Sequence, residues 1–185
     1  KGVEFRLHTS VKEVWKAGPA YRLRLADGRE VAADRILSAI GLRPRTALAQ
    51  AAGIACQRGI VANRLLETSA AGVYAMGDCA EIAGLNLPFV MPIMHQATAL
   101  ARTLAGQATE LRYPAMPVTV KTPACPTVVC PPPAGAEGSW RCQAVDGGLQ
   151  ASFDGPDGGV LGFALMGKAT AQSQDWAARV PAALA

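Results

Sequence analysis

Apolar and polar positions alternate along the first quarter of the chain in a way that predicts strands. Residues 3–14, 21–25 and 35–40 are β-branched, aromatic or alternating, which disfavours helix. Ala26-Asp27-Gly28-Arg29 predicts a hairpin turn ahead of Glu30-Val31. Gly41-Leu42-Arg43-Pro44 then breaks the pattern, and Thr46 predicts the N-cap of a short helix ending at Gly53. Residues 54–67 read as paired strands about Arg58-Gly59. Residues 72–78 read as a short apolar strand halted by Gly77-Asp78. In α/β architectures such a halt leaves the last residues at the carboxyl edge of a sheet, where ligands bind. Pro92 marks a fixed helix entry, and an Ala-rich helix is expected from Met94 to Ala105. Its apolar side is made of Met94, Ala97, Ala101 and Leu104, and Gly106 closes it.

Beyond Tyr113 the pattern changes. Prolines crowd between residues 114 and 133, and strand-like runs follow at 118–121, 127–130, 140–145, 149–153 and 160–165. Their turns carry Gly or Asp-Gly, and a last helix is expected over residues 169–179. This is a second, β-rich unit with a boundary near residue 112. Pro131-Pro132-Pro133 reads as a rigid inter-strand loop rather than a polyproline ligand.

Charge sharpens this division. The net charge of +4 is concentrated in residues 1–50, which carry ten Lys and Arg against five Asp and Glu. The basic residues alternate with apolar ones, as in Tyr21-Arg22-Leu23-Arg24-Leu25, and so read as the solvated face of a half-buried strand. No basic stripe is interleaved with aromatics, which argues against a nucleic-acid partner. No run of about 18 apolar residues occurs and the opening residues are no signal peptide, so the expectation is no membrane span and a cytoplasmic location. Five cysteines, an odd number without a CxxC pair, point away from a disulfide scaffold or zinc ribbon. Reduced thiols are expected, with Cys125 and Cys130 on opposite faces of a short strand.

Three segments taken in order resemble the pyridine nucleotide-disulfide oxidoreductase superfamily. They are residues 33–44, ending Ala39-Ile40-Gly41-Leu42-Arg43-Pro44; residues 68–78, Thr68-Ser69 through Tyr74-Ala75-Met76-Gly77-Asp78; and the helix from Met94 to Gly106. Residues 87–92 and 116–126 are similar to the rubredoxin–NAD reductases within it. The fold implied is α/β, the second half of a two-dinucleotide-binding-domain flavoprotein, plus a β-rich α+β C-terminal domain. Residues 1–40 would end the NAD-binding domain, 41–112 would be the second segment of the FAD-binding domain, and 113–185 the C-terminal domain.

The resemblance implies FAD and NADH as cofactors and rubredoxin as electron acceptor. Its candidate cofactor residues are Gly41, Gly77, Asp78, Met94, His95 and Lys121. A carboxylate at the position of Asp78 accepts hydrogen bonds from a flavin hydroxyl, and a glycine at 77 allows close backbone approach. The helix near Met94 would aim its amide end at the flavin; a helix terminus stabilises nearby negative charge by about 0.3–1 kcal/mol. Lys121 would set an ammonium beside the isoalloxazine. No catalytic residue or metal ligand is implied, and His95 reads as a surface or packing residue rather than a catalyst.

The departures narrow the family. The only histidines are His8 and His95, so the terminal His-Glu pair that serves a redox disulfide in glutathione-reductase-like members has no counterpart. No GxGxxG fingerprint occurs, whereas the family carries two. The chain therefore resembles a C-terminal half. Two alternatives stay open: a ferredoxin or nitrite reductase type of FAD-dependent NAD(P)H reductase, and a non-catalytic partner-docking fragment.

Overall fold

A computed structural model describes residues 2–185, which divide into two compact units, Lys1–Leu42 and Arg43–Ala185.

The first unit is an antiparallel meander of β1 (Val11–Ala17), β2 (Ala20–Leu25) and β3 (Glu30–Ala33). Alternation on β2 works as the pattern requires, with Leu25 buried while Arg22 and Arg24 face solvent. Arg24 bonds Glu13 at 2.7 Å on β1 and lies 5.2 Å above the Trp15 ring. The Asp27 carboxylate closes the β2–β3 turn by accepting the Arg29 amide at 3.1 Å and its guanidinium at 2.9 Å. Those bonds hold the Asp27 carboxyl below the usual aspartate range.

One expected strand of this unit is cut short and another is absent. Val3, Phe5 and Leu7 are exposed, and pairing starts only at Val11, after His8 has turned the backbone with φ of 57°. Residues 35–40 run unpaired, with Leu37 and Ile40 about nine-tenths exposed. The residue types are right for strands, but a strand is stable only beside a partner, and the unit offers none there.

The second unit opens with α1 (Ala47–Ala51). Thr46 takes the N-cap position without a side-chain bond, and Gly53 follows the helix with φ of 72°. The expected hairpin about Arg58-Gly59 shrinks to one bridge, Cys56 to Ile60. The strand that forms, β4 (Ile60–Ala62), pairs instead in parallel with β5 (Ala80–Ile82). Residues 72–78 are not a strand: Tyr74 makes one bridge to Glu67, and regular pairing begins two residues beyond Asp78. Gly59 explains the approach of the two strands. A Cβ there would lie 2.7 Å from the Cys79 carbonyl oxygen, and its amide donates to the buried Glu81 carboxylate at 2.9 Å.

α2 (Val90–Leu104) begins four residues before Met94. Pro92 is therefore inside the first turn, where its missing N–H would have had no helical partner anyway. The helix ends in a Schellman motif: the amides of Gly106 and Gln107 donate to the carbonyls of Thr103 and Arg102, with Gly106 at φ of 89°. Its buried residues are Pro92, Gln96 and Ala99. The expected apolar side is the outward one, since Met94, Ala101 and Leu104 are exposed. α2 packs on a core of Leu66, Ile82, Leu111 and Tyr113, all nearly sealed from solvent.

The rest is a five-stranded antiparallel sheet in the order β6 (Val118–Val120), β7 (Thr127–Cys130), β10 (Val160–Gly167), β9 (Gly148–Asp154), β8 (Ser139–Val145). Asp146 and Gly147 make the tight β8–β9 turn, with Gly147 at φ of 65° as such a turn demands. A second core joins Val128, Cys130, Phe163 and Leu165 to Ala169 and Trp176. The last helix is split into a 3-10 segment at Lys168–Gln172 and α3 (Ser173–Ala177). Cys125 lies before β7, so only Cys130 belongs to the strand. All five cysteines are free, and burial pushes the Cys130 thiol up.

Candidate functional site

The segment from Ala75 to Asp78, where candidate cofactor residues were expected at a strand end, is loop rather than strand. Ala75 is tied to Leu66 by a backbone bond at 2.9 Å, and the Ala80 amide returns to the Gly77 carbonyl at 3.0 Å. Asp78 therefore stands at the corner of a turn leading into β5. Gly77 has φ of 84° and open space where a side chain would point. An L residue there would be strained, while a ligand has room to approach. Asn86 holds the turn from below, donating to the Asp78 and Ala80 carbonyls at 2.8 Å each. The exposed Asp78 carboxylate itself has no hydrogen bond or ion pair among the described residues.

One buried side chain couples this turn to α2. Gln96, 3% exposed, accepts the Gly77 amide at 2.5 Å through its carboxamide oxygen. Its nitrogen donates to the Tyr113 hydroxyl at 2.7 Å. Burial raises the Tyr113 phenol above its ordinary value, partly offset by that bond. His95 meets the Tyr113 ring edge-on at 6.3 Å between centroids. The α2 N-terminus has Phe89 at its cap with no side-chain bond and no acidic residue in its first turn. Its leading amides are left for an external acceptor, the arrangement that suits an anion.

The structure thus brings Gly77 and Asp78 together with the helix that carries Met94 and His95. Met94 is exposed in the second turn rather than at the helix start. Lys121 is exposed just past β6 and makes no side-chain hydrogen bond or ion pair among the described residues. Gly41, with φ of 94°, belongs to the first unit. Sequence reading missed Gln96, Tyr113 and Asn86. Gln96 carried a signal all the same, as the carboxamide in the row Pro92, Gln96, Ala99, Thr103 at helical spacing. Among the described residues no group of acidic, His and Cys side chains could hold a metal ion, and no helix is long and apolar enough to cross a membrane.

Comparison with known proteins agrees with this architecture. Residues 1–105 match the family model "Pyridine nucleotide-disulphide oxidoreductase", and residues 110–180 match "Rubredoxin binding C-terminal domain". The chain is 47% identical over 182 residues to a rubredoxin-NAD(+) reductase of Alcanivorax borkumensis, covering 98% of this chain and 48% of that protein. It is also 47% identical over 175 residues to a rubredoxin-NAD(+) reductase of Acinetobacter baylyi, covering 94% and 44%. The chain spans about half the length of these curated relatives. Among solved structures, a covalent putidaredoxin reductase-putidaredoxin complex superimposes with a TM-score of 0.79 at 22% identity, over 97% of this chain and 46% of that one. That likeness is one of fold. With one family model spanning more than half of its residues, the chain belongs to the pyridine nucleotide-disulphide oxidoreductase family.

Proposed function

We propose that this chain supplies the flavin-holding turn, a flavin-facing helix and the acceptor-docking domain of an FAD-dependent NADH:rubredoxin reductase. On this reading residues 1–40 close the NAD-binding domain, 41–112 form the second segment of the FAD-binding domain, and 113–185 receive rubredoxin. The observation that carries it is the Gly77–Gln96 hydrogen bond, which fixes the Gly-Asp turn against α2. Rubredoxin as acceptor is supported by the match of residues 110–180 and by relatives named for that reaction.

The residues present fit a flavin. Asp78 offers an unpaired carboxylate for ligand hydroxyls, Gly77 leaves its outer side open, and the first amides of α2 are uncapped. FAD, when bound, would take a hydride from NADH and release electrons singly to the acceptor. The chain's own part is to bind and orient. Asp78 and Gly77 would hold the cofactor, the α2 amides with Met94 and His95 would flank it, and Lys121 would balance charge on its reduced form. Gly41 is proposed as a further contact. Free cysteines support a reducing compartment such as the cytoplasm.

The test is electron transfer in the enzyme carrying this segment. NADH should bleach oxidised rubredoxin, and Asp78→Ala should lower the flavin bound. Reduction of a ferredoxin with none of rubredoxin would replace this reading with the ferredoxin-type alternative. The 185-residue chain alone, which lacks any GxGxxG, is expected to hold FAD weakly or not at all. A stoichiometric yellow complex with excess FAD would overturn that expectation.

A further inference from the structure

The five-stranded sheet is only partly covered on the face that carries α3. Val128, Cys130, Phe163 and Leu165 lie under Trp176 and its neighbours. The same face continues over β9 and β8, where Arg141 is opposite Ser152 and Gln143 opposite Gln150. There it opens into a cleft of roughly 310 Å³ lined by Arg141, Gln143, Gln150, Ser152, Trp176 and Arg179. Every one of these six side chains carries an N–H or O–H donor, and none is a carboxylate.

The donors are held in place. The Arg179 guanidinium lies 4.4 Å over the Trp176 ring, and that ring packs 5.8 Å from the fully buried Phe163. Arg141 pairs at 2.7 Å with Asp154, which is not itself a lining residue, and its remaining donors stay free for another acceptor. Gln150 is fixed by its bond to Gln172 at 2.7 Å. Ser152 is only 5% exposed and lines the cleft, where its hydroxyl can serve as a donor. One carboxylate against two guanidinium groups leaves the cleft positive. Its volume is at the lower end of ligand sites, enough for a small group and too little for a dinucleotide.

We propose that this cleft binds a small oxyanion, a phosphate or carboxylate group, gripped by Arg179 and Arg141 with the Ser152 hydroxyl donating from its floor. The site is separate from the Gly77–Asp78 turn and does not depend on the flavin reading.

The test titrates the ¹⁵N-labelled 185-residue chain with sodium phosphate, and in parallel with sodium acetate, against sodium chloride at matched ionic strength, because exposed charges respond to salt alone. The Trp176 indole and the Arg179 side-chain N–H should shift saturably with at least one oxyanion. Affinity should fall at least fivefold in Arg179→Gln and in Ser152→Ala, and stay unchanged in Arg102→Gln on the exposed side of α2. Tighter phosphate binding identifies a phosphoryl-bearing ligand, and tighter acetate binding a carboxylate. Arg179 is exposed, so its variant tests the site without disturbing the core. Non-saturating shifts, an equal response to chloride, or full affinity in Arg179→Gln would overturn the proposal.

Discussion

The Gly77 amide and the Gln96 carboxamide meet at 2.5 Å across nineteen residues of chain. Gln96 in turn donates to Tyr113, so one side chain joins the Gly77–Asp78 turn, α2 and the segment that follows it. Replacing Gln96 by Leu keeps the volume and strands the buried Tyr113 hydroxyl and the half-buried Gly77 amide. Each costs about 1–3 kcal/mol when left unsatisfied. A loss of about 2–3 kcal/mol corresponds to a melting temperature lower by roughly 4–12 °C for a chain of this size. Gln96→Glu, which still accepts the Gly77 amide, should recover part of it. Thermal unfolding followed by circular dichroism decides the matter, and an unchanged melting temperature in Gln96→Leu would refute the coupling.

Tyr113 supplies a pH signature. Its folded pKa is raised by burial above the ordinary value of 10.0. In the unfolded chain the phenol ionises near that value, while the folded chain keeps it neutral. Its contribution is therefore fully present below about pH 10 and lost as pH rises beyond it. Comparing melting temperatures at about pH 8 and pH 11 should show a steeper loss for the parent chain than for Tyr113→Phe. Equal slopes would mean that the phenol is not sealed in the folded state.

Gly59 and Gly77 should respond differently to alanine. At Gly59 the added methyl meets the backbone of Cys79 at 2.7 Å and of Ala80 at 3.1 Å, so β4 and β5 must part. Overpacking of that kind costs about 1–3 kcal/mol. At Gly77 space is open and the cost is backbone strain alone, about 1–2 kcal/mol. Urea midpoints measure both. The distinguishing outcome is local: Gly59→Ala should shift amide resonances along β4 and β5, whereas Gly77→Ala should confine its changes to the turn.

Phe163 is fully buried between the sheet and Trp176. Phe163→Ala should cost about 3–5 kcal/mol and loosen α3. Trp176 emission should move to longer wavelength even where the protein remains folded. Unmoved emission would show that α3 is held by something else.

The β-rich unit was legible almost strand by strand, because β8–β9 and β9–β10 are joined by Gly turns and every strand has at least one partner a few residues away. Residues 35–40 and 72–78 were misread for one shared reason. Composition reports that a segment suits a sheet, not whether a partner strand is present. The parallel β4–β5 pair lay outside such reading because seventeen residues, rather than a tight hairpin turn, separate its strands. On α2 the apolar row of Met94, Ala101 and Leu104 drew attention to the outward side, while the inward side was marked by the polar Gln96. A polar residue among small apolar ones at helical spacing was the better clue to the site. Gly77 and Asp78 were legible as a motif, but the groups that hold them, Gln96 and Asn86, come from elsewhere in the sequence.

Tyr113 and Leu184 exchange two backbone hydrogen bonds, at 2.9 and 3.1 Å, and Arg64 reaches the carbonyls of both Leu111 and Ala185. The seventy residues between Tyr113 and Leu184, which hold the whole five-stranded sheet, thus enter and leave the molecule at one point. In topological terms the sheet is a cassette. A short linker in its place would take Met116 from the core around Ile82 and leave the Gly77–Gln96–Tyr113 chain of hydrogen bonds closed. The sheet could be exchanged, by recombination or by design, without reopening the part that holds the turn.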